Sequence, residues 1–422
     1  MTKLEIFDEV VDVMKHDSST CKDIAGGDVS FYRAKINEEM PEMEFLYVMQ
    51  AYLATFEIKG HVNFYKTNDS VNLDFKVQRY QDELYVIETA KNSKLHIGDK
   101  IVAIDDIPVK SFAEIHKEFM YGETEARQAY GWQRLLKFCK GVTVAAENGE
   151  EQEFAISLSG EWEEKEPYFC KTIGSKITYM RLSDFDNEEA IQKMYVENEA
   201  LLAESKYLVI DVRGNGGGSI SSFFSLMKYC LPVGKTLNEI GLKLSGVEVN
   251  YTERNCNSRL ELIQQYREME LSEETITMLD QMEAELMTNK GKGFVEDSQE
   301  MELPIAGEEG MEHVYIITDE GCASSGDAFV EMMSISPRVT IVGRPTMGVQ
   351  DYSNVCMMQM EDYTFVYPTT RLTDINKGIR QTKVGVPVDV HVPWTPEFLG
   401  RDVDMEKVLE LIAEKCSRKE HL

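Results

Sequence analysis

The sequence predicts an α+β protein of several domains: a helical N-terminal region, a β-rich middle and an α/β core. Three observations predict it. Phe45, Val48, Met49, Tyr52, Leu53 and Phe56 recur at intervals of three and four, the stripe of an amphipathic helix. From about residue 73 to 160 the texture changes to short strand-like runs bounded by turn residues. Beyond residue 165, strand-like and helix-like runs alternate, the pattern of an α/β layer structure. A chain of 422 residues has room for two or three domains, each with its own core.

The first region, residues 1–72, begins "MTKLEIFDEVVDVMKHD", in which apolar residues alternate with acids. It lacks the basic start and unbroken apolar stretch of a secretory signal. No run approaches the ~20 apolar residues of a membrane-spanning helix. The eight cysteines are scattered, with no CxxC pair and no metal-ligand spacing. Reduced thiols in the cytoplasm are the expectation. In "IKGHVNFY", Gly60 is the expected helix stop and Val62–Tyr65 the first strand, which leaves His61 in the turn between them.

In the middle region, residues 73–160, "ELYVIETAKNSKLHIGDKIVAIDDIPVKSFAEIH" reads as strand, turn, strand and then a helix start after Pro108. Gly98, Asp99, Ile101, Ile104, Asp105, Asp106 and Val109 fit the "GD-I-x-x-I-(D/N)-(G/D)-x-x-V" pattern, so this stretch resembles a PDZ domain. "VTVAAENGEEQEFAISLS" is its expected closing hairpin. Such a domain binds extended peptides by adding a strand to a sheet edge.

The core, residues 161–422, offers "KYLVIDV", "HVYIITD" and "RVTIVG" as buried strands, with "SISSFFSLMKYCL" and "SSGDAFVEMMSI" as helices. Residues 250–300 are polar and helical, an expected insertion over this core. Two strand-to-helix turns stand out. "DVRGNGGGS", Asp211 to Ser219, lets backbone pass close to a bound group and is followed by free helical N–H groups. "TDEGCASSGDAF" places Ser324 and Ser325 at a second helix start, where a serine is either a cap or a nucleophile. Parallel neighbours bring such turns to one edge of a sheet, where ligands bind. Gly214 and Gly216, with Ser219 in a third glycine's place, fit a dinucleotide fingerprint poorly.

The formal net charge is -30, from 74 acidic and 44 basic residues. That balance disfavours nucleic acid and anionic membranes as partners, since both need clustered Lys and Arg.

Taken in order, the motifs resemble the C-terminal-processing (tail-specific) serine peptidase family, which also includes the tricorn core. "YLVIDVRGNGGG" is similar to its "DLRxNxGG", "GCASSGDAF" to its "(S/T)ASxxE" and "IVGRPTMG" to its "VGxxTxG". "ITYMRLSDF" and "GVPVDVHVPWTPEFLGRDVDMEKVLELI" resemble its strand and closing segments. The resemblance spans about residues 40–415 and implies a crotonase/ClpP-like α/β peptidase core. It makes Ser324 the nucleophile, with Ser325 and either Gly217 or Gly218 supplying oxyanion amides. Where many members carry a lysine base, this chain has Val349, so the resemblance points to the branch with a serine–histidine site and makes His61 the base. That branch has a glutamate just before "GVP", where this chain reads Gln381, Thr382 and Lys383. Thr382, or an acid such as Asp374 or Asp351, is then left to orient the imidazole. The implied function is a serine endopeptidase acting on extended peptides or unfolded protein tails without a metal or organic cofactor. The alternative is a decayed relative that binds peptides without cleaving them.

Overall fold

The computed structural model describes residues 1–422 other than 69–70, 121, 123, 147, 244, 270, 298–302 and 421–422. It is a mixed α/β chain with three sheets, divided into two compact units that are each assembled from separated stretches.

One unit comprises residues 1–70, 245–300 and 351–380. Its sheet is antiparallel, with strands Asn63–Lys66, Tyr363–Leu372, Val247–Tyr251 and Gly293–Asp297 in that order. Tyr352–Met360 also pairs with Tyr363–Leu372, the most buried strand of the set. Helix Lys3–His16 starts on a capping box between Thr2 and Glu5, and helix Glu42–Ala54 carries the apolar stripe read from the sequence. Phe45 on that helix meets Phe64 and Tyr363 on two strands, at ring-centroid distances of 6.0 and 5.5 Å. Helix is thereby locked to sheet, as edge-to-face aromatic pairs do. Residues 250–300 contain helices Glu253–Arg267 and Glu273–Asn289 between two of the strands.

The other unit comprises residues 71–244, 301–350 and 381–422. Its first sheet is antiparallel, in the order Phe75–Tyr80, Glu83–Thr89, Lys100–Ile104, Gly141–Ala145 and Glu151–Ala155. Asp105, in the turn after the third strand, accepts the Lys140 and Gly141 N–H groups at 2.9 Å each and so fixes the return of the chain.

Its second sheet runs Val390–His391, Val339–Gly343, His313–Thr318, Tyr207–Asp211, Ile177–Leu182 and Tyr168–Thr172. All neighbours are parallel except the last pair. Tyr207–Asp211 and His313–Thr318 are buried at every residue, as unbroken apolar strands in a doubly covered sheet must be. One face packs Leu208, Ile210, Val314 and Ile316 against Phe223, Phe329 and Val330. The opposite face packs Val209 and Ile317 against Val408 and Ile412 of helix Val403–Glu420. Each such aliphatic side chain contributes about 1.5–3 kcal/mol of burial, which makes the strand ends a rigid platform. No helix among the described residues is long and apolar enough to cross a membrane.

Candidate active site

The two turns singled out in the sequence leave the carboxyl ends of adjacent parallel strands, with Asp211 paired to Ile317 in register. Their backbones are tied by side chains. Asp319 Oδ1 accepts Gly214 N–H at 2.7 Å and Gly321 N–H at 3.0 Å. The fully buried Asn215 accepts Ala323 N–H on its carbonyl at 2.8 Å and Gly217 N–H on Oδ1 at 3.0 Å, and its Nδ2 donates to Leu182 O at 3.1 Å.

Ser324 precedes helix Ser325–Ser334 with φ 57° and ψ -120°, a conformation costing a non-glycine residue about 1–3 kcal/mol. Its surroundings hold it there. Its N–H donates to Asp327 Oδ2 at 2.8 Å, and its carbonyl accepts from Ala328 N–H at 3.1 Å and from Gln350 Nε2. Ser324 is half-buried, while Cys322, Ala323 and Ser325 around it are buried. Burial pushes the Cys322 thiol well above its ordinary value, so the neighbouring sulfur stays protonated and is a poor nucleophile.

Glycine is required opposite this serine. Gly217 has φ 102°, and a Cβ there would lie 2.6 Å from Ser324 Cβ. Gly218 has φ 131°, and a Cβ there would meet Phe185 backbone at 2.3 Å. The Gly217 N–H is already given to Asn215. The Ser325 N–H, at the first helical position, has no acceptor within its own helix.

Asp327, fully buried, is the centre of this architecture. Besides Ser324 N–H it accepts Gly348 N–H at 2.8 Å and Val349 N–H at 3.0 Å, so it joins the serine turn to the 346–349 segment. Met347 N–H closes the same joint on Cys322 O at 2.6 Å. Burial raises the Asp327 carboxyl above the usual carboxylate range, against the opposing pull of these donors. Arg127, from the 73–160 stretch, supports the outside of the joint by donating to Pro345 O at 3.2 Å and Met347 O at 2.8 Å. Asp327→Asn is expected to lower stability by about 1–3 kcal/mol, because either amide orientation turns an N–H toward a backbone N–H. A urea midpoint that falls with unchanged slope checks it; an unchanged midpoint counts against Asp327 as the joint.

His61 lies in the other unit, half-buried, with Nδ1 at 2.6 Å from Tyr352 O. A carbonyl only accepts, so Nδ1 carries the proton and the lone pair of the neutral ring is on Nε2. In this same unit Asp374 Oδ1 is paired with Lys377 at 2.6 Å. Asp351 is buried, and its carbonyl accepts Leu372 N–H at 3.0 Å. Thr382 falls in a turn at 382–384, half-buried, in the unit that carries Ser324. Val349, at the position of the family's lysine, is a buried apolar side chain.

Asn215 and Asp327 fall within the motifs read from the sequence but were given no role there, and Gln350, Arg127 and Tyr352 were not picked out by sequence reasoning. The visible signals were the asparagine of "DVRGNGGG" for Asn215 and, for Asp327, the S-x-x-D spacing of a capping box from Ser324. Among the described residues no three His, Cys, Asp or Glu side chains are grouped so as to hold a metal.

Mature CPAF complexed with lactacystin shares the fold with a TM-score of 0.65, at 14% identity over 98% of each chain. Mature CPAF alone gives 0.65 at 13% identity, over 98% of this chain and 97% of that one. No curated protein matches the sequence. Residues 176–392, just over half of the chain and including both turns, match Peptidase family S41. The chain belongs to Peptidase family S41 and is a serine-type peptidase.

Proposed function

We propose that Ser324 is the nucleophile of an endopeptidase acting on extended peptides or protein tails, with His61 as its general base. The observation that carries this reading is the backbone of Ser324, held at a positive φ between a parallel strand and a helix. A cap does not need that strain, whereas a hydroxyl that must stand clear of its neighbours does.

In the proposed reaction Ser324 Oγ attacks the scissile carbonyl carbon while His61 Nε2 takes the hydroxyl proton. The oxyanion is held by the N–H groups of Ser325 and Gly218, a choice favoured by the engagement of Gly217 N–H with Asn215. The imidazolium returns the proton to the leaving amine, and water then releases the acyl group from Ser324 by the same steps in reverse. The Tyr352 carbonyl does the orienting work that the resemblance leaves to Thr382 or Asp374. A neutral acceptor fixes the tautomer as a carboxylate does but stabilises the imidazolium less, so turnover is slower than in a triad with an acid. The 73–160 stretch, in this reading a PDZ-like domain on a crotonase/ClpP-like core, presents the peptide.

Labelling with a fluorophosphonate probe tests the reading. Wild-type protein is expected to label, and Ser324→Ala and His61→Ala are each expected to abolish it. Labelling that survives Ser324→Ala overturns the assignment, and no labelling of the folded wild type argues for peptide binding without cleavage.

A further inference from the structure

The His61 ring is hydrogen-bonded to a backbone carbonyl, so its geometry depends on the placement of that backbone. Tyr352 is the first residue of strand Tyr352–Met360, the kind of position where a ladder frays. Its side chain is buried, and its hydroxyl donates to Asp23 Oδ2 at 3.0 Å. Asp23 is in turn gripped by Arg371, with Nε at 2.8 Å from Oδ2 and Nη2 at 2.9 Å from Oδ1, a bidentate pair with fixed geometry. Arg371 is fully buried and is itself the residue directly opposite Tyr352 in the strand ladder.

These contacts close a ring: Tyr352 hydroxyl to Asp23, Asp23 to Arg371, and Arg371 back to Tyr352 through the sheet. Arg371 also donates to Glu248 and, at 3.1 Å, to Asn376 Oδ1, while Lys22 meets Glu248 at 2.6 Å. Two cations and two anions thus balance around the ring, which avoids an uncompensated buried charge. Burial and the adjacent Asp23 carboxylate both push the Tyr352 phenol up, so it remains a hydrogen-bond donor.

We infer that the Tyr352–Asp23–Arg371 clamp is a positioning device for His61, holding the Tyr352 carbonyl where it keeps the proton on Nδ1. The inference rests on His61 as the base. Tyr352 and Asp23 act through the ring and do not touch the reacting atoms.

Tyr352→Phe removes only the hydroxyl and leaves the carbonyl and the aromatic packing. The expected result is a fall in kcat of about 10-fold with KM within about twofold, since a drift well short of 1 Å is at stake. The far-downfield Nδ1–H proton resonance of His61 should broaden or vanish in the same variant. Asp23→Asn should lower kcat in the same sense, and the double variant should be no worse than the poorer single, because the clamp acts as one unit. Wild-type kcat with an unchanged His61 resonance in Tyr352→Phe overturns the inference, as do additive losses in the double variant. If instead His61→Ala keeps wild-type activity, the proposed base is wrong, while the resonance still reports whether the clamp holds the ring.

Discussion

Ser324→Ala is expected to lower kcat for hydrolysis of an unstructured peptide by about a million-fold, leaving only what oxyanion donors and binding supply without a nucleophile. The fold should tolerate the change. Alanine meets the same backbone strain at φ 57° as serine does and keeps the main-chain bond to Asp327, losing only the side-chain half of the capping box. His61→Ala is expected to approach the same loss, because an alcohol without a base is a weak nucleophile near neutral pH. The double variant is the sharper measurement. Groups that act as one unit show grossly non-additive losses, so it should be no slower than the poorer single. Losses that multiply, or a His61→Ala enzyme within tenfold of wild type, would mean that another group accepts the proton.

The parts of this site that were legible in the sequence are those written in residue type. Four glycines at a strand end and two serines at a helix start are compositional oddities with few physical uses, and both turns fall at the ends of buried parallel strands. Buried strands such as Tyr207–Asp211 announce themselves by unbroken apolar runs. What could not be read depends on partners rather than periods. Tyr352 holds His61 through a carbonyl that every residue possesses, so no side chain marks it. Arg127 looks like any surface arginine until the fold lays it, buried, against carbonyls 218 and 220 residues away. Strand Asn63–Lys66 pairs with Tyr363–Leu372 across some three hundred residues, and alternation reveals a strand's buried face but never its neighbour. The sequence before "GVP" directs attention to side chains, whereas the His61 Nδ1–H donates to a main-chain carbonyl, which no motif marks.

Gly217→Ala should damage the site through the serine itself, and the reason is local. The new methyl would sit 2.6 Å from Ser324 Cβ, 3.1 Å from Ala323 O and 3.2 Å from Ser324 Oγ, so either the serine turn or the glycine turn must move. Both are pinned, the first by Asp327 and the second by Asn215, and neither can yield without straining a partly or fully buried hydrogen bond. The positive φ of Gly217 adds a backbone cost of about 1–3 kcal/mol for alanine. With the nucleophile displaced by a few tenths of an ångström or more, kcat and the rate of fluorophosphonate labelling are expected to fall about 100-fold together. Gly216 supplies the control one residue away. It has no positive φ, and a Cβ there meets nothing within 4 Å, so Gly216→Ala should change stability by no more than about 0.5 kcal/mol. A Gly217→Ala protein that labels at the wild-type rate would show that close approach of this backbone to Ser324 is not required. Equal damage from both substitutions would instead assign the effect to general stiffening of the turn, because only Gly217 touches the serine.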